Sequence, residues 1–197
     1  MIGHSDKDNK LKAFIKEFRP EINFVLIFVT GLVVLFLLVN NPMVADTVIE
    51  PITVAETWVA GKILGVIGYE NVQDGAFLSS QGGRFFRMEV RNNCNGVYES
   101  IVFLMAFIAI QIPWRRKIGW MSFGFFLFHV INELRLVTLF IVGIEYPEKF
   151  VFFHETFWNY TLVLLTLAIF IFCAHKVSQR QGVGDGEPTA DPAGAVQ

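Results

Sequence analysis

Four long apolar runs, at residues 22–39, 96–112, 118–143 and 151–174, constrain this chain more than any other feature of it. The first carries no charge. A bilayer core takes roughly 20 such residues as a helix. Composition agrees: 53% of residues are hydrophobic and 17% charged, against roughly 25% charged in an average soluble domain. The 21 Phe residues suit a lipid-facing surface. The expected fold is an all-α integral membrane protein with about four transmembrane helices. The first run reads as a span rather than a cleavable signal, because Asn40-Asn41-Pro42 follows it instead of a small-x-small site.

Residues 42–93 are different in kind. Positions 53–68 read as an amphipathic helix, with Trp58, Val59, Ile63, Val66 and Ile67 set against Glu56 and Lys62. It is too polar to span, so it is expected in the membrane interface. Gly61, Gly65 and Gly68 would let it pack closely on a neighbour. Turn signals at 73–75 and 81–83 bracket short alternating runs at 76–79 and 85–90, which predicts a small β-hairpin on the membrane surface.

Orientation follows from the basic residues. Clusters lie in residues 1–20 (Lys7, Lys10, Lys12, Lys16, Arg19), at Arg115, Arg116 and Lys117, and at Lys176 and Arg180. Four spans put all three on one side, which the positive-inside rule makes cytoplasmic. Arg84, Arg87 and Arg91 oppose this, but Glu70, Asp74 and Glu89 accompany them. The predicted organisation is a cytoplasmic basic N-terminus (1–20), a membrane-embedded core (21–175) and a disordered cytoplasmic tail (176–197) rich in Gly, Pro, Asp and Ala. The amphipathic helix, the hairpin and the loop at 144–150 then face outward, and both termini are cytoplasmic.

On that topology three polar side chains converge. Cys94 sits at the outer end of the second span and His154 at the outer start of the fourth. Arg135 lies in the third, roughly 12 Å below its outer end at helical rise. A buried Arg is expensive in a bilayer and needs a partner or a function; Glu133 or Glu99 would serve as a structural partner. A thiol nucleophile needs a base or a nearby positive charge. His154 is the candidate general acid and base, and Arg135 the candidate oxyanion stabiliser. Asn132, one turn from Arg135, is a candidate to orient it, or else an interhelical contact. His129 lies deeper and reads as a residue that packs or bonds between helices. Glu99 is not assigned to catalysis.

The order and spacing of these residues resemble a known family. The stretch from Gln73-Asp74-Gly75 through Gln81-Gly82-Gly83-Arg84-Phe85, then Val90 to Cys94-Asn95-Gly96, is similar to the approach to the active-site Cys of exosortases and archaeosortases. Asn132-x-x-Arg135-Leu136 resembles their Asn-x-x-Arg motif, and His154 falls where their third catalytic residue sits. Asn95 stands where the family has Ser, Gly96 completes its Cys-x-Gly, and the span count resembles a compact form carrying the core alone. The resemblance implies a membrane transpeptidase or cysteine protease of the cytoplasmic (inner) membrane, with its active site facing outward. The implied substrates are secreted proteins with a C-terminal motif, a transmembrane helix and a basic tail. Cys94 would form a thioester that an unidentified acceptor nucleophile resolves.

Other classes fit less well. A thiol oxidoreductase needs two cysteines within about 7 Å, whereas Cys94 and Cys173 fall toward opposite faces of the membrane, with Cys173 read as packing. His154-Glu155 begins like a zinc-protease motif, but Trp158 occupies the second ligand position. No metal, cofactor or nucleic-acid partner is expected; membrane lipid is. The non-enzyme alternative is a membrane assembly or scaffold protein with a structural Arg135, in which Cys94→Ser keeps function.

Overall fold

The computed structural model describes residues 16–92 and 94–182. Helix α1 (Arg19–Val39) opens with Pro20 in its first turn, where a missing N–H leaves no bond unmade. Val39 is its one buried residue. It leans on helix α3 (Val97–Ala109), where Gly31 lies against the end of the Met105 side chain, which a Cβ there would displace.

Among the described residues three helices are long and apolar enough to cross a membrane: α1, α4 (Trp114–Glu145) and the stretch Pro147–Ser178. Most of that last stretch is helix α5 (Trp158–Gly182). These match the runs at 22–39, 118–143 and 151–174. The run at 96–112 comes out shorter than expected. Helix α3 has 13 residues, about 20 Å of rise, against a core of roughly 30 Å. It stops because Ile110 turns extended ahead of Pro113, and Lys117 captures its end. Lys117 Nζ donates to the carbonyls of Phe107, Ile108 and Ile110 at 3.0, 3.1 and 3.1 Å, a cation placed where the α3 dipole is negative. Residues 115–117, expected as a basic turn, are therefore the first turn of α4, and Lys117 is buried rather than displayed.

Helix α2 (Glu50–Val66), preceded by a π-helical turn (Ala45–Ile49), departs from the expected orientation. Its buried stripe is Thr53, Glu56, Thr57, Ala60 and Leu64, while Trp58, Val59 and Val66 are exposed. The polar side faces α4, the reverse of the soluble amphipathic pattern. Side chains that need hydrogen bonds find them inside the protein, where a lipid or interfacial surface supplies few. Of its glycines Gly61 is crowded, facing Asn71 Oδ1 and Leu78 Cδ1, while Gly65 faces open space.

The hairpin is one strand larger than expected. Strands β1 (Asn71–Asp74), β2 (Phe77–Ser80) and β3 (Arg87–Glu89) form an antiparallel sheet in the order β1-β2-β3. Asn71 pairs with Ser80 and Phe77 with Glu89. Strand β1 has poor strand propensity but is pinned to α2. Asn71 Nδ2 donates to the Gly61 carbonyl, and Gln73 Nε2 to that of Val54, both at 2.9 Å. Arg87 lies over the Phe77 ring and Arg84 donates to the Ile144 carbonyl, so both meet protein groups.

Two cores result. One joins Ala60 and Leu64 of α2, Leu78 and Met88 of the sheet, and Leu136, Leu139 and Phe140 of α4; Cys94 lies in it. The other joins α3, α4 and α5 through Phe103, Phe107, Phe128, Leu162 and Ile169, and holds Cys173. Helix α5 continues to Gly182, so residues 176–182 are helical where disorder was expected. The remainder of that tail, and the basic residues Lys7, Lys10 and Lys12, lie outside the described residues.

Candidate active site

Cys94 lies in a tight loop between β3 and α3. The loop returns on itself through the N–H groups of Cys94 and Asn95, both bonded to the Arg91 carbonyl at 2.7 and 3.0 Å. Gly96 then takes a left-handed conformation, φ +68°. A Cβ there would stand 2.8 Å from Phe128 Cε1 and 3.2 Å from Asn132 Cγ, so both backbone and space require glycine. The Asn95 side chain is fully buried and bonded at both ends. Its Oδ1 accepts from the Val97 N–H at 3.1 Å, capping α3, and its Nδ2 donates to Thr53 Oγ1 at 2.7 Å. Asn132 Nδ2 donates to the Cys94 carbonyl at 3.2 Å. Asn132 thus ties α4 to the Cys94 loop.

Three elements deliver the side chains around the sulfur. His154 Nε2 lies 3.1 Å from Cys94 Sγ. Its ring stacks on Phe150, with centroids 5.7 Å apart and planes 9° apart. Arg135, fully buried in the middle of α4, brings Nη2 to 3.9 Å from Cys94 Sγ, and the same nitrogen donates to Asn159 Oδ1 at 3.2 Å. The structure therefore brings together Cys94, Arg135 and His154, with Asn132 and Gly96 behind them. Burial pushes the Cys94 thiol above its ordinary range, and the Arg135 charge draws it partway back. Both effects act on a sulfur that lies within hydrogen-bond distance of His154 Nε2.

His129 is elsewhere, and does bond between helices. Its Nδ1 meets Glu56 Oε1 at 2.9 Å and its Nε2 meets Ser100 Oγ at 3.2 Å, linking α2, α4 and α3. Burial holds the Glu56 carboxyl above the usual range, with His129 opposing. Glu99 Oε2 is buried and makes no hydrogen bond among the described residues. Cys173 sits in the other core, away from Cys94.

Sequence reasoning missed Thr53 and Asn159. Asn159 carried a usable signal, being polar at the start of an apolar run. Thr53 carried none, since one threonine on a presumed interfacial helix gives no hint of its partner. A cavity of about 840 Å³ opens beside the nucleophile loop, against Thr53, Val90, Arg91 and Asn92. Comparison with known families gives one finding: the model described as Transmembrane exosortase (Exosortase_EpsH) matches residues 22–174. No match was found among curated proteins or among solved structures.

Proposed function

Because the chain belongs to the transmembrane exosortase family, we propose that it is a membrane cysteine transpeptidase that cleaves C-terminal sorting signals and transfers the proteins bearing them to an acceptor. The observation that carries this reading is the sulfur of Cys94 held 3.1 Å from His154 Nε2 and 3.9 Å from Arg135 Nη2. A buried nucleophile with a base and a cation at that range is what acyl transfer requires.

The chemistry runs in two halves. Cys94 attacks the carbonyl carbon of the scissile peptide bond while His154 Nε2 takes the thiol proton. The carbonyl oxygen becomes an oxyanion beside Arg135. As the C–N bond breaks, His154 returns the proton to the departing amine, leaving a thioester on Cys94. An acceptor nucleophile then attacks the thioester, His154 takes its proton, and Cys94 is released as the thiol. Because burial raises the Cys94 thiol, proton transfer to His154 accompanies attack in this reading.

The substrates in this reading are secreted proteins with a short C-terminal motif, a transmembrane helix and a basic tail. Four membrane crossings put both termini on the cytoplasmic side of the inner membrane and the Cys94 loop on the outer side. Helix α3 makes the second crossing with help from the residues on either side of it. The cavity beside Arg91 and Asn92 gives the substrate segment a place to approach from.

The test is processing in membranes. A tagged protein carrying a candidate sorting signal is expressed with wild type, Cys94→Ala, Arg135→Ala or His154→Ala, and its size is followed by immunoblot. Wild type is expected to shorten it, and all three variants, present at normal membrane levels, to leave it intact. Undiminished cleavage by Cys94→Ala would overturn the reading in favour of a non-enzymatic scaffold.

A further inference from the structure

His154 and Asn159 are five residues apart. On a plain α-helix, at about 100° per residue, they would point roughly 140° away from each other, and only one would face Cys94. Both face the site: His154 meets Cys94 at 3.1 Å and Asn159 meets Arg135 at 3.2 Å. The π-helical turn Phe152–Phe157 is the cause. Across it the Trp158 N–H bonds the Phe153 carbonyl, five residues back, and that wider turn draws residues five apart toward a common face.

The Asn159 amide is itself oriented. Its Nδ2 donates to the Glu155 carbonyl at 3.1 Å, so its Oδ1 is the end presented to the guanidinium. The nitrogen it accepts from is the one that reaches Cys94 Sγ. An Arg stem has considerable rotamer freedom, and an acceptor fixed on another helix removes much of it at the corner that matters.

We propose that Asn159 is a positioning residue, which holds Arg135 Nη2 on the Cys94 sulfur. This rests on the reading of Cys94 as the nucleophile, but the geometry can be read with no sorting substrate. Asn159 is exposed on its remaining surface, so its truncation leaves both cores intact.

The experiment measures the alkylation of Cys94 by iodoacetamide against pH, in detergent-extracted protein carrying Cys173→Ser, for wild type, Asn159→Ala and Asn159→Asp. Loss of this acceptor loosens Arg135 Nη2 on the sulfur, so Asn159→Ala is expected to alkylate about threefold more slowly near neutral pH. Asn159→Asp keeps the shape and adds a carboxylate that neutralises the guanidinium, so it is expected to be slower still. In the processing assay Asn159→Ala is expected to lose about tenfold in kcat with KM unchanged, as for a group acting in the transition state. Both variants following the wild-type alkylation curve would overturn the proposal. That result is distinct from cleavage by Cys94→Ala, which would remove the proposed function and leave the alkylation result standing.

Discussion

Replacing Arg135 by Gln removes one positive charge beside the sulfur and keeps a planar amide on the stem. Two unit charges 3.9 Å apart interact by about 4 kcal/mol at an effective dielectric constant of roughly 20. The guanidinium charge is delocalised, so about half of that falls on the thiolate, equivalent to about one to two pH units. The sign follows from the balance at Cys94: burial has raised the thiol, and Arg135 opposes burial. Removing Arg135 therefore raises the thiol further, and the thiolate forms only at higher pH. Below the midpoint the alkylation rate follows the thiolate fraction, so it should fall about 10–100-fold near neutral pH. Iodoacetamide is the suitable reagent because it is uncharged and does not itself respond to Arg135. Arg135→Lys separates charge from geometry. A lysine retains a cation without the planar fork, so alkylation should recover in part while processing stays low. Loss of an oxyanion donor costs about 10²–10³-fold in kcat. An Arg135→Gln protein that alkylates with the wild-type midpoint would refute the electrostatic argument.

Two further outcomes follow from the nucleophile loop. Gly96→Ala imposes about 1–2 kcal/mol of left-handed strain and drives a methyl group into Phe128 and Asn132; a lowered melting temperature in detergent and loss of processing are expected, and a wild-type melt would count against the crowding. Thr53→Val keeps the shape but strips the Asn95 amide of its acceptor, a buried donor left unmade at about 1–3 kcal/mol. The loop should loosen and Cys94 alkylate faster, opposite in sign to Arg135→Gln; an unchanged or slower rate would contradict that role for Thr53.

The site was legible because its signals are long-range and discrete. Apolar runs at 22–39, 118–143 and 151–174 are long enough as helices to cross a bilayer, and the polar residues Cys94, Arg135 and His154 stand out at the ends of such runs or within them. What stayed hidden depends on packing. The face of α2 could not be read from amphipathicity, because its polar stripe turns inward and Glu56 meets His129 there. Strand β1 is held by side-chain bonds to α2 carbonyls that no local pattern encodes. Lys117 reads as a surface charge until the end of α3 is seen to need a donor. The π turn before α5 is invisible to any analysis that assumes 3.6 residues per turn, and it decides whether Asn159 belongs to the site.

The inverted helix α2 gives the site its backing. Two hydrogen-bonded lines leave its buried stripe one turn apart. Thr53 runs through Asn95 to the Val97 N–H, and Glu56 runs through His129 to Ser100. Both end in the first turn of α3, immediately after Cys94. The first line carries no charge; the second pairs a carboxyl whose burial is partly offset by His129. Arg135 and His154 approach the sulfur from α4 and the turn before α5, while α2 braces the nucleophile loop from behind. The short distances from Cys94 to His154 and Arg135 depend on how firmly that loop is held. Helix α2 is the element that supplies that fixity, although sequence alone assigned it to the membrane surface.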